Sequence, residues 1–134
     1  MSTVAIRAAL ETHLAAMPQV PAIAWENLNF TPQTGTPFLS SAILFADPND
    51  AGSARSPYVQ RGYMQVTLHY PLNEGPRNAQ VKAQALRDYF FRGLVLLKDG
   101  FRVVIDRTPV ITGGTPEDGR FVIRVRIYFF SDVH

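Results

Sequence analysis

The chain has 134 residues, with 13 Lys and Arg, 11 Asp and Glu, a net charge of +2 and no cysteine. That length fits one domain over residues 1–134 and can bury about two-thirds of the unfolded chain's surface. The missing cysteines exclude disulfides, thiolate metal sites and thiol nucleophiles, and the small charge argues against a backbone-driven nucleic-acid binder.

The first element reads as a helix. Ser2 is a plausible N-cap. Ile6, Leu10, His13/Leu14 and Met17 follow at helical spacing, and Pro18 ends the run. Arg7, Glu11 and His13 interrupt its apolar pattern, so neither a signal peptide nor a membrane span is expected. A short extended piece, Ala22 to Trp25, precedes a Thr-, Pro- and Gly-marked loop from Asn27 to Pro37. Phe38 to Ala46 reads as a strand, with Leu39, Ser41, Ile43 and Phe45 on one face.

Asp47 to Gln60 is polar and too long for a tight hairpin, so it reads as a loop. Arg61 to Tyr70 is a strand. Met64, Val66, Leu68 and Tyr70 point one way; Tyr63, Gln65, Thr67 and His69 point the other. The second helix is framed by Pro76 at its start and Gly93 just past its end, with a stripe of Ala79, Ala83, Leu86 and Phe90. Leu94–Lys98 and Phe101–Arg107 form a hairpin about Asp99-Gly100, whose two positions favour positive φ. Thr108 to Gly119 reads as a second long loop, with Gly113-Gly114 as a turn. Arg120 to Phe130 is the last strand. Phe121, Ile123, Val125, Ile127 and Phe129 form one face; Val122, Arg124, Arg126, Tyr128 and Phe130 form the other.

The order predicts an α+β fold: a mostly antiparallel sheet of five or six strands with two helices on one face. The opposite face is rich in arginine and aromatics, as interfaces are. Of the basic residues only Lys82 and Lys98 are lysine. A water-facing antiparallel sheet is the plainer account of the same face.

Chemistry finds little support. His13, His69 and His134 stand apart from one another at no metal-ligand spacing. There is no nucleophile elbow, phosphate loop or dinucleotide fingerprint. The carboxylate pairs Asp47/Asp50 and Glu117/Asp118 fall in polar loops, where solvent keeps them ordinary. No catalytic, cofactor or metal residue is assigned, and no cofactor is expected. Arginines alternating with aromatics in the last strand leave single-stranded nucleic acid as an alternative ligand, though without sequence-specific readout. A small-molecule-binding α+β domain is another.

The succession of segments narrows this. Val4-Ala5-Ile6-Arg7-Ala8-Ala9-Leu10-Glu11-Thr12-His13-Leu14 leads to Ala24-Trp25-Glu26-Asn27, then Phe30-Thr31-Pro32 and Gly35-Thr36-Pro37-Phe38-Leu39. Arg61-Gly62, Gln65-Val66, Tyr70-Pro71, Gly75 and Ala85-Leu86-Arg87-Asp88 follow. This resembles the phage tail terminator-like family of siphophages and prophages over nearly the whole chain. The resemblance implies a sheet with packed helices and a ring, usually a hexamer, that caps the tail tube, stops its growth and presents a surface to the head. It implies itself, the major tail tube protein and a head-completion or connector protein as partners. The implied place is the virion tail, after synthesis in the host cytoplasm, with no membrane partner; DNA would pass through the ring's lumen. A neck or head-completion protein of similar size is the neighbouring alternative. A ring needs patch-to-patch contacts between copies. The expected contact residues are Asp47, Asp50, Arg55, Arg61, Tyr63, Arg124, Arg126 and Tyr128, and the two long loops are expected to order on assembly.

Overall fold

The computed structural model describes residues 3–46 and 59–133. In chain order the elements are α1 (Thr3–Ala15), β1 (Ala22–Ala24), β2 (Phe38–Phe45), β3 (Gln60–Pro71), α2 (Arg77–Tyr89), β4 (Val95–Lys98), β5 (Phe101–Ile105), β6 (Val110–Glu117) and β7 (Arg120–Val133). Ser2 and most of the Asp47–Gln60 segment, residues 47–58, lie outside the described residues; Gln60 itself begins β3.

The sheet is larger than expected and mixed. Its order is β1-β2-β3-β7-β5-β4, with β6 also on β7. β1 runs parallel to β2, with Ala22 opposite Phe38, because the chain between them returns to the end where β1 began. The other pairings are antiparallel. The seventh strand comes from the expected Thr108–Gly119 loop, most of which is β6. β5 and β6 lie one after the other along the same side of β7, β5 beside Phe129–Val133 and β6 beside Arg120–Arg126. Asp106 bridges the break through its N–H to the Tyr128 carbonyl, at 2.9 Å.

Gly113-Gly114 is a bulge inside β6, not a turn: both residues have φ 105° and the register shifts there. The turn is Asp118-Gly119, with φ of 50° and 74°, which repeats the geometry of Asp99-Gly100 at 51° and 80°.

Both helices pack on one sheet face, α1 against β4 and β5, α2 against β7, β3 and β6. Ile6, Leu10, Leu14 and Met17 meet Ala79, Ala83, Leu86 and Phe90 over the inward residues of the sheet. Small residues in the first half of α2 let that helix lie close to β7. The helix ends earlier than Gly93 suggests. Phe90 leaves helical geometry at φ −100°, ψ 58° while its ring is fully buried. Gly93 instead donates its N–H to Ile105 O at 2.8 Å, opening the β4–β5 hairpin.

Two polar ties hold α1, one to α2 and one to the sheet edge. Tyr89 donates its hydroxyl to His13 O at 2.6 Å, and the two rings stack at 4.1 Å. Arg7 pairs with Glu26 at 2.8 Å, and the same Glu26 oxygen accepts the Ile43 N–H at 3.1 Å. Glu26 thus satisfies the edge of β2 where β1 stops.

Gly62 marks the closest approach within the sheet. A Cβ there would strike the Leu44 carbonyl oxygen and come 2.9 Å from Phe129 Cζ. Backbone cannot yield as a side-chain tip can. Gly62→Ala is therefore expected to lower stability by about 1–3 kcal/mol, read as a lower urea midpoint.

Candidate assembly surface

The uncovered face of the sheet is built by alternation along β3 and β7. Because Ile123, Val125, Ile127 and Phe129 point to the helices, the residues between them face outward. Register then lines up rows across the strands. Leu44, Tyr63 and Tyr128 form one row, and Ala42, Gln65, Arg126 and Val110 the next. Arg61, Phe130, Val104 and Val95 form a third.

In the middle of this face, guanidinium groups lie on aromatic rings. Arg107 sits 4.2 Å above Tyr128, Arg126 4.9 Å above Tyr63 and Arg61 5.5 Å from Phe130. The two tyrosine rings are 5.5 Å apart. Arg126 also donates from Nε to Gln65 Oε1 at 3.0 Å. Among the described residues neither Arg107 nor Arg126 forms an ion pair, and Arg61 reaches Asp106 only at 4.0 Å. The cluster therefore keeps net positive charge on a rigid aromatic base. Each contact is worth about 0.5–1 kcal/mol at an exposed site.

The flanks are tied down within the chain. Arg124 grips Glu117 with two bonds of 2.8 Å, and Thr115 donates to the same carboxylate at 3.1 Å. The bond from Arg124, then that from Thr115, holds the Glu117 carboxyl below the ordinary carboxylate range. Arg102 makes a second fork with Asp132, at 3.0 and 2.6 Å. Arg120 donates to the carbonyls of Gln33 at 2.8 Å and Thr36 at 2.5 Å and lies 5.0 Å from the Phe38 ring. It pins the Thr-Pro-Gln-Thr-Gly-Thr-Pro segment to the start of β7.

His69 stacks on Phe38 at 4.3 Å and shares a 2.9 Å hydrogen bond with Ser40 Oγ. Burial pushes its pKa down, and Arg120 and Arg124 push it further. No carboxylate completes this Ser–His contact among the described residues, and no three metal-ligating side chains gather there.

Of the expected contact residues, Arg61, Tyr63, Arg126 and Tyr128 come together at the centre. Arg124 lies on the same face but is committed to Glu117. Asp47, Asp50 and Arg55 lie outside the described residues. Arg107 was missed, because only the break between β5 and β6 carries it over Tyr128. Arg120 was missed as a loop anchor, since its partners are backbone carbonyls that leave no side-chain pattern.

A family model described as "Phage tail terminator protein" matches residues 5–129. This chain belongs to the phage tail terminator family. A solved structure whose name states no function shares the fold of this tail terminator family member. It has a TM-score of 0.76 at 29% identity, covering 100% of this chain and 96% of that one. No curated protein matches. Membership makes the chain a structural component of the phage tail, a setting that brings it to tail tube and head components. No helix among the described residues is long and apolar enough to cross a membrane.

The two described histidines predict a pH response. Burial lowers the pKa of both His13 and His69. The unfolded chain then binds more protons than the folded one once pH drops below the ordinary histidine value of about 6.5. Stability should therefore fall as pH passes down through about 6.5, continuing until the folded-state values are crossed. Urea midpoints taken between about pH 8 and pH 5.5 should show this slope. The variant carrying His13→Phe and His69→Phe should flatten it, whatever its absolute stability.

Proposed function

We propose that this chain ends the tail tube as a closed ring of identical copies, six by family precedent, which stops tube growth and offers the surface that joins the head. It does so as one folding domain, without catalysis, and with DNA passing through the lumen. It is made in the host cytoplasm and built into the virion tail. The partners are its own copies, the major tail tube protein and a head-completion or connector protein.

The observation that carries this reading, beside family membership, is the uncovered sheet face centred on Arg61, Tyr63, Arg107, Arg126 and Tyr128. Arginine and tyrosine are enriched where contacts concentrate binding energy. Two of the guanidinium groups have no ion-pair partner among the described residues, and the aromatic rings beneath hold them in place. A carboxylate-bearing patch on a neighbouring copy would complete them. A ring closes only through two different patches, so this face is one half of the contact. Stable association needs roughly 800 Å² per partner, more than this cluster alone offers. Arg124, held to Glu117, widens the patch, with Asp47, Asp50 and Arg55 as the remaining contact residues.

Negative-stain imaging of tube ends, with and without the protein, tests the role. Tubes assembled without it should overrun their normal length; tubes that still stop at that length would remove the terminator reading. Arg126→Glu should keep the far-UV circular dichroism of the parent yet weaken capping about 30-fold, the ~2 kcal/mol of an interface hot spot.

A further inference from the structure

Beyond the three-residue edge strand β1, the sheet leaves three stretches open, along β2, β6 and β4, and the first two are guarded. Along β2 the Glu26 carboxylate occupies the free Ile43 N–H. Along β6 the Gly113-Gly114 bulge and Pro116 break the pattern, with Pro109 just ahead of the strand. The edge of β4 has only Lys98 at its end. Leu94 O accepts the Ile105 N–H, and Lys98 and Asp99-Gly100 lead directly into the turn. The Leu94 carbonyl and the backbone groups of Leu96 and Lys98 therefore face β5, while Val95 and Leu97 direct theirs outward. The side chains of Val95 and Leu97 are 46% and 64% exposed on the outer face.

Beside this edge runs an open groove between α1 and β4, lined by Ala9, Thr12, His13, Ala16 and Leu96. His13 Nε2 is buried there without a hydrogen-bond partner. The small side chains of α1 leave room for an inward-pointing residue on an added strand. Val4 and Ala15 are exposed on α1 and Ala16 just past its end, so the apolar surface extends beyond the core stripe.

The edge is complementary to itself. With Leu96 set opposite Leu96 of the partner subunit, antiparallel pairing puts Val95 across from Leu97 of the partner subunit, and the reverse. Both apolar pairs then share the outer face, and the two leucines at the centre share the groove side. Lys98 falls opposite Leu94 of the partner subunit, so no like charges meet. We propose that the bare edge of β4 binds the β4 edge of a second copy antiparallel, about a twofold axis at Leu96, with up to four backbone hydrogen bonds made by Val95 and Leu97.

Such a contact is isologous and cannot itself close a ring. It goes beyond the ring reading and stands apart from it. Its effect is to cover, in copies not yet on a tail, an edge that would otherwise template unregulated strand addition. A four-residue strand pair falls well short of about 800 Å² per partner, so the pairing is reversible and depends on concentration.

Leu97→Pro tests it selectively. Proline removes an outward N–H and no bond of the β4–β5 ladder. Leu97→Lys places a charge on the same edge and decides alone if the proline variant does not fold. Sedimentation equilibrium of the full chain, from roughly 10 μM to 1 mM, should show the parent's average mass rising from one chain toward two. Both variants should stay at one chain. Hydrogen exchange at the Val95 and Leu97 amides should slow at least tenfold at the high concentration in the parent. A parent that stays at one chain near 1 mM overturns the proposal, as do variants that associate equally well. Species larger than two chains that form equally in the variants would support the ring and overturn the β4 pairing.

Discussion

The twelve-pair ladder between β3 and β7, from Gln60 opposite Ser131 to Pro71 opposite Arg120, sets almost everything else. Both strands alternate along their length, so one register serves two faces. On one side Met64, Val66, Leu68, Ile123, Val125, Ile127 and Phe129 are buried under the helices. On the other Tyr63, Gln65, Arg124, Arg126 and Tyr128 come into rows. A slip of one residue would send Arg124 and Arg126 into the core and Ile123 and Val125 to water. An unpaired buried charge costs several kcal/mol, which makes this register strongly preferred. Gly62 tightens it further, since only a residue without a side chain fits between the Leu44 carbonyl and the Phe129 ring.

The same ladder makes the outer face an ordered surface before any partner arrives. Its arginines are positioned by rings, carboxylates or backbone carbonyls of the chain itself. Arg124 and Arg102 are neutralised by Glu117 and Asp132, and Arg120 is spent on the loop before β2. Arg107 and Arg126 keep their charge available over Tyr128 and Tyr63. Holding them in advance lowers the side-chain entropy lost on contact. Under the assembly role proposed above, a face already held in shape lowers the cost of docking.

Several features were legible along the chain because they depend on near neighbours. The Ile6, Leu10, Leu14 stripe, the Ala79, Ala83, Leu86, Phe90 stripe and the alternation of β3 and β7 are local periodicities, and burial follows them. Asp99-Gly100 announced its hairpin. Asp118-Gly119 carries the same turn chemistry, yet Gly113, Gly114 and Pro116 hid the strand before it. Those residues sit in a bulged strand because β7 supplies the ladder and the bulge absorbs the extra residue. Three central residues of the outer face, Tyr63, Arg126 and Tyr128, were legible from alternation alone, while Arg61 was expected only as a contact residue. Arg107 was not legible, since its place above Tyr128 depends on how the chain steps from β5 to β6.

What the sequence by itself determined is the set of local choices: two helices, the long alternating strands, the tight turns and an arginine and aromatic composition on one face. These follow from side-chain spacing and backbone preference within a few residues. Only the tertiary structure decided the parallel entry of β1, the seventh strand, the partner of each arginine and which sheet edge was left bare. Those depend on residues far apart in the chain meeting in one register. Glu26 reaches Ile43, Arg120 reaches Gln33 and Thr36, and β4 ends the sheet with β5 as its one strand neighbour.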